Sequence, residues 1–121
     1  MIVHITTRQE WQAAAGESEY RAASLQSDGF IHCSTVKQVV DTANLFFRGQ
    51  NDLLLLIIDE KRLNTELKYE DPTGRGHDPG VGSLFPHVYG PVNRDAIRQV
   101  VEFPYRQDGT FALPDEVQKL I

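Results

Sequence analysis

The sequence predicts a single α+β domain spanning residues 1–121, built on a mixed, largely antiparallel sheet with helices packed against it. Three observations carry that expectation. Residues 53–58 are six consecutive apolar side chains, the pattern of a central strand buried on both faces. Residues 2–6 and 65–70 alternate with the two-residue period of strands. Two strand-like runs lead directly into capping boxes, Thr7 with Glu10 and Thr35 with Gln38, each followed by apolar residues at helical spacing. No composition break, repeat or low-complexity tract divides the chain, and 121 residues can bury a core without a disulfide or metal.

In order, the first strand sets Ile2, His4 and Thr6 on one face and Val3 and Ile5 on the other. A short helix follows, with Trp11, Ala14 and Ala15 as its apolar stripe and Gly16 as its stop. Residues 17–28 read as a loop or helical turn ending at Gly29, with Tyr20 and Arg21 as surface residues. Residues 29–35 then read as one strand in which Phe30, His32 and Ser34 share a face, entering a helix marked by Val36, Val39, Val40, Ala43, Phe46 and Phe47. That placement sets His32 beside a helix N-terminus, where free N–H groups favour anions. After the central strand, Glu66, Lys68 and Glu70 lie on one face, by default a solvated surface of mixed charge. Residues 72–83, with four glycines and two prolines, read as a long loop carrying Arg75 and His77. Residues 84–91 place Phe85, His87 and Tyr89 in an extended segment stiffened by Pro86 and Pro91. A strand ending at Phe103, a turn at Asp108-Gly109, a last strand over 110–113 and a helix over 114–121 complete the chain.

Composition narrows the function. Twelve basic against seventeen acidic residues, a net charge of -5, leave no broad basic face for a long nucleic acid, although a small anion remains compatible. One cysteine, and neither a basic leader region nor a membrane-length apolar stretch, predict a cytoplasmic protein with no membrane partner. Cys33 alternates away from His32 and reads as a core residue rather than a nucleophile. The four histidines, His4, His32, His77 and His87, have no metal-ligand spacing, so no metal site is assigned. What stands out is the shared pattern His-x-(Ser/Thr)-Thr-x-x-(Glu/Gln) at residues 4–10 and 32–38. The candidate site is therefore a cleft lined by His4, Thr6, His32 and Ser34, joined by Glu70, His87 and Tyr89. Imidazoles, hydroxyls and a carboxylate in that combination suit ribose hydroxyls and phosphates of a small nucleotide-like ligand.

Val3-His4-Ile5, Gly29-Phe30-Ile31-His32-Cys33-Ser34-Thr35, the apolar run with Asp59, Tyr69-Glu70 and Phe85-Pro86-His87-Val88-Tyr89-Gly90-Pro91 together resemble the small bacterial family known as domain of unknown function 952, over nearly the whole chain. That family is remotely similar to the ADP-ribosyltransferase superfamily, in which a first-strand His contacts a ribose of NAD. His32-Cys33-Ser34 also resembles the His-x-Ser strand of RNA 2'-phosphotransferases, although His4-Ile5-Thr6 departs from the superfamily's usual His-Gly-Thr. The resemblance implies an ADP-ribosyltransferase-like fold and NAD or ADP-ribose as the bound group. It further implies His4 and His32 holding ribose or phosphate, Ser34 lining the cleft and Glu70 polarising a ribose hydroxyl. The alternatives are a non-catalytic module for a small metabolite or partner, and a metal-dependent hydrolase. On the nucleotide reading, His4→Ala and His32→Ala weaken ligand binding and leave the melting temperature nearly unchanged.

Overall fold

The computed structural model describes residues 1–71 and 84–120, so the expected loop with Arg75 and His77, and the terminal Ile121, lie outside the described residues. The fold is α+β. Strand β1 (Ile2–Thr7) pairs along its length with the central strand, and the two runs that sequence marks most clearly are therefore neighbours. In chain order the other elements are α1 (Arg8–Ala13), β2 (Glu19–Tyr20), α2 (Ala23–Asp28), β3 (Ile31–His32), β4 (Ser34–Thr35), α3 (Val39–Phe46), β5 (Leu53–Ile58), β6 (Glu66–Glu70), β7 (Phe85–Tyr89), β8 (Val92–Asn93), β9 (Ile97–Glu102) and α4 (Asp115–Gln118).

Among the described residues every pairing is antiparallel, and the strands form three sheets where one mixed sheet was expected. A four-stranded sheet runs β4-β1-β5-β9, a three-stranded sheet runs β3-β7-β6, and β2 pairs with β8. The division has a local cause. Residues 29–35 are not one strand: the chain leaves one sheet and joins the other at Cys33, whose N–H donates to the Pro86 carbonyl at 3.1 Å. Strand β5 is buried throughout and separates two cores. Ile2, Leu56 and Ile58 pack with Tyr20, Ile31 and Val88 on one side. Val3, Leu55 and Ile57 pack with Val39, Ala43, Phe103 and Phe111 on the other. At roughly 1.5–3 kcal/mol for each large apolar side chain removed from water, this strand anchors the domain.

The helix starts follow the capping logic in part. Thr7 Oγ1 accepts from Glu10 N at 3.0 Å and starts α1 as expected. At Thr35 only the reciprocal half forms, Thr35 N donating to Gln38 Oε1 at 3.0 Å. Gln38 Nε2 donates in turn to the Leu84 carbonyl, residues 36–38 make a turn, and α3 begins at Val39. His32 is thus removed from the helix N-terminus beside which the sequence set it. Residues 110–113 are not a strand, because the Phe111 N–H donates to Asn44 Oδ1 on α3 at 2.6 Å while its ring fills the second core.

Gly90 closes the turn after β7 with φ +155, and a Cβ there would stand 2.6 Å from Thr65 Cγ2. Thr65 is held by a 3.3 Å hydrogen bond from its hydroxyl to the Pro91 carbonyl. Gly90→Ala is therefore expected to destabilise the fold by about 2 kcal/mol, read from the urea midpoint. An unchanged midpoint would show that the Thr65 side chain moves aside freely.

Candidate functional site

The predicted residues fall into two groups that meet back to back at His32. The first is buried. Strand β1 points His4 and Thr6 into the core on the Tyr20 side, where His4 is 6 % exposed and Tyr20 fully enclosed. The His32 carbonyl can only accept, so His4 Nδ1 carries the proton and donates to it at 2.7 Å. The Tyr20 hydroxyl stands between the other two groups, 3.1 Å from His4 Nε2 and 2.8 Å from Thr6 Oγ1. Having one proton, it donates to one of them and accepts from the other. Burial lowers the His4 pKa below its ordinary value, which favours a neutral ring and a Tyr20 proton directed at Nε2. The Thr6 hydroxyl then gives its one proton to Tyr20 and lies 3.3 Å from Glu10 Oε2, while Glu10 Oε1 accepts from Ala23 N at 3.0 Å, tying α1 to α2.

The second group lies on the β3-β7-β6 sheet. Register sets His32 opposite His87, Lys68 opposite His87 from the other side, Glu66 opposite Tyr89 and Glu70 opposite Phe85. A single carboxylate atom, Glu70 Oε1, accepts from His87 Nδ1 at 3.0 Å and from the Tyr89 hydroxyl. Phe30 stacks on the His87 ring with centroids 4.1 Å apart, and meets the His32 and Tyr89 rings at tilted angles of 57° and 42°. His32 meets His87 edge-on at 5.4 Å and directs Nε2 to Asp28 Oδ2, 2.8 Å away at the end of α2. Each imidazole thus has its own carboxylate, but their exposures differ: the His87 side chain is 1 % exposed and that of His32 47 %. Lys68 Nζ lies 4.9 Å from the centre of the Tyr89 ring.

The electrostatics follow from these contacts. Burial lowers the His87 pKa, opposed by the Glu70 carboxylate. The Tyr89 hydroxyl, helped by His87, holds Glu70 below the usual carboxylate value, and the same bond pushes Tyr89 up to about 12. Burial raises the Cys33 thiol, consistent with a core residue rather than a thiolate nucleophile.

His32, Glu70, His87 and Tyr89 are therefore brought together, while His4 and Thr6 form the layer behind them. Ser34 is buried, and among the described residues no hydrogen bond links its hydroxyl to either histidine, because the switch of sheets at Cys33 breaks the alternation that paired it with His32. Tyr20, read from sequence as a surface residue, is the bridge of the buried layer. Phe30 and Asp28 were also missing from the predicted site. Phe30 already shared the alternating face of His32, whereas Asp28 reaches it only because Gly29, with φ +86, reverses the chain after α2. Among the described residues no three His, Cys, Asp or Glu side chains stand in metal-holding geometry, and no helix is long and apolar enough to cross a membrane.

Comparison with known proteins gives a family and a fold. Residues 5–100 match the family model described as protein of unknown function (DUF952). The crystal structure of protein CC0527 from Caulobacter crescentus is 33 % identical, with a TM-score of 0.81 over 97 % of each chain. A double mutant of that protein gives 32 % and 0.81 over the same coverage. Its solution NMR structure gives 34 % and 0.76 over 95 % of this chain and 94 % of that one. No curated protein matches the chain.

Proposed function

The chain belongs to the DUF952 family, and from the site it carries we propose that it binds the ADP-ribose portion of NAD or a similar nucleotide on the open face of the β3-β7-β6 sheet, as an ADP-ribosyltransferase-like protein. The observation that carries this reading is the convergence of His32, Glu70, His87 and Tyr89 around the Phe30 ring, from segments far apart in sequence. The donor set fits such a ligand. Among the described residues Glu70 Oε2 has no partner, since Oε1 takes both internal donors, and it is available to accept from a ribose hydroxyl. With Nε2 donating to Asp28, His32 leaves Nδ1 to accept from a ligand hydroxyl. Tyr89 supplies partly exposed aromatic surface for a base, backed by the buried Phe30 ring, and Lys68 is the cation beside it. His4 acts through the carbonyl of His32 as a positioning residue, with Thr6 and Tyr20 behind it.

The test is a titration of isotope-labelled protein with ADP-ribose and with NAD. Saturable shifts are expected at His32, Glu70, His87 and Tyr89, and smaller ones at His4. Incubation with NAD then separates two outcomes: release of nicotinamide marks turnover, and saturable binding without release marks a non-catalytic module. An unperturbed spectrum at millimolar ligand ends the nucleotide reading.

A further inference from the structure

We propose that the free edge of β9 is a self-pairing surface, on which two copies of this chain join their β9 strands antiparallel about Val100. Strand β9 ends the sheet order β4-β1-β5-β9, and its other face along the hydrogen-bonding direction has no strand among the described residues. The phase of its ladder is fixed by Phe103 N, which donates to the Leu53 carbonyl at 2.9 Å. Residues 103 and 101 therefore direct their backbone groups at β5, and Val100 and Glu102 direct theirs outward. Arg98 is the extra residue where the register with β5 shifts between Ile57 and Ile58.

An open edge is ordinarily guarded by charge, and this one carries both signs placed symmetrically. Arg98 and Glu102 lie two residues on either side of Val100. When the strand meets its own copy antiparallel, Val100 faces Val100, Arg98 faces the partner's Glu102, and Glu102 faces the partner's Arg98. The outward backbone groups of Val100 pair with each other in the same register. Val100 is 38 % exposed, and among the described residues Arg98 has no ion-pair partner. Glu102 already takes Arg8, but 63 % of its side chain remains exposed to accept a second guanidinium. Charges that would repel an arbitrary strand of either sign thus favour a second copy of this one. The contact is short, so the dimer is weak and concentration-dependent. It lies on the sheet that does not carry the histidine cluster and stands independently of the nucleotide reading.

Sedimentation from micromolar to millimolar concentration tests it with three proteins. The wild type is expected to approach a dimer at the high end. R98E and E102K each place like charges at both ends of the paired strands, and each is expected to stay monomeric while retaining the wild-type circular dichroism. An equimolar mixture of R98E with E102K restores opposite charges at both ends and is expected to form a heterodimer, with slowed hydrogen exchange at the Val100 amide. A wild type that remains monomeric at millimolar concentration, an R98E chain that dimerises as the wild type does, or a mixture that stays monomeric overturns the proposal.

Discussion

Replacing His4 with alanine should lower the melting temperature by about 10 °C and flatten the dependence of stability on pH below neutrality. The first effect comes from what the ring holds. Both nitrogens are engaged, one by the His32 carbonyl and one by the Tyr20 hydroxyl, in a pocket where His4 is 6 % exposed. Removal leaves a cavity, takes the side-chain donor from the His32 carbonyl and leaves the Tyr20 hydroxyl with Thr6 alone, a loss of roughly 3 kcal/mol. That reverses the expectation drawn from sequence, under which His4→Ala would leave the melting temperature nearly unchanged. The second effect follows from the sign of the shift. Burial lowers the His4 pKa from 6.5 in the folded chain, so as pH falls below that value the unfolded chain takes up a proton that the folded chain refuses. The stabilisation is complete above the unfolded value and is lost as pH drops from there towards the folded one. Burial lowers His87 as well, so the wild type carries two such contributions and the variant one. Urea unfolding at about pH 5 and about pH 7.5 measures both effects, the window being set by the histidine range. A variant with the wild-type melting temperature would remove His4 from the buried network, and an unchanged pH slope would place the proton uptake elsewhere.

How far the sequence revealed these features depends on the range of the interaction responsible. Burial of β5 on both faces is written into six consecutive apolar residues, and the Thr7 cap needs only Glu10, three residues away. The split of residues 29–35 between two sheets is not local. Alternation alone gives one continuous strand, while the partners that break it, β7 for one half and β1 for the other, lie far away in the chain. Tyr20 was misread for the same reason: its two-residue strand is held by β8, and nothing in the neighbouring sequence marks it as buried. Glu70 repeats the lesson on a charged face. Glu66 and Lys68 beside it are exposed, as alternation suggests, but β7 lays His87 and Tyr89 across Glu70 and converts a solvated position into a hydrogen-bonded one. The histidine and aromatic residues of the site were thus legible as residue types, and their grouping into a buried layer and an open layer was set by strand pairing.

That layering predicts opposite behaviour for the two histidines of the β3-β7-β6 sheet, one exposed and one enclosed. His32→Ala should leave the melting temperature within about 2 °C of wild type, because the side chain is 47 % exposed and its bond to Asp28 is a surface contact. If the face binds ADP-ribose as proposed, the same substitution should weaken that binding about tenfold or more, the equivalent of about 1.4 kcal/mol for one lost polar contact. His87→Ala should do the reverse at the level of the fold. Its ring is 1 % exposed, stacked under Phe30 and bonded to Glu70, so truncation opens a cavity, removes one of the two donors to Oε1 and should lower the melting temperature by about 5–10 °C. Binding would then fall indirectly, through a displaced Glu70. His87→Phe separates the contributions, since it refills the space against Phe30 and leaves only the hydrogen bond missing. Calorimetric titration with ADP-ribose alongside thermal melts reads both quantities on each variant. If His32→Ala binds as the wild type does while His87→Phe binds poorly, the ligand contacts lie at Glu70 and Tyr89 and His32 has no part in them. If both bind as the wild type does, the aromatic face carries no ligand, and the cluster serves the packing of β3 on β7.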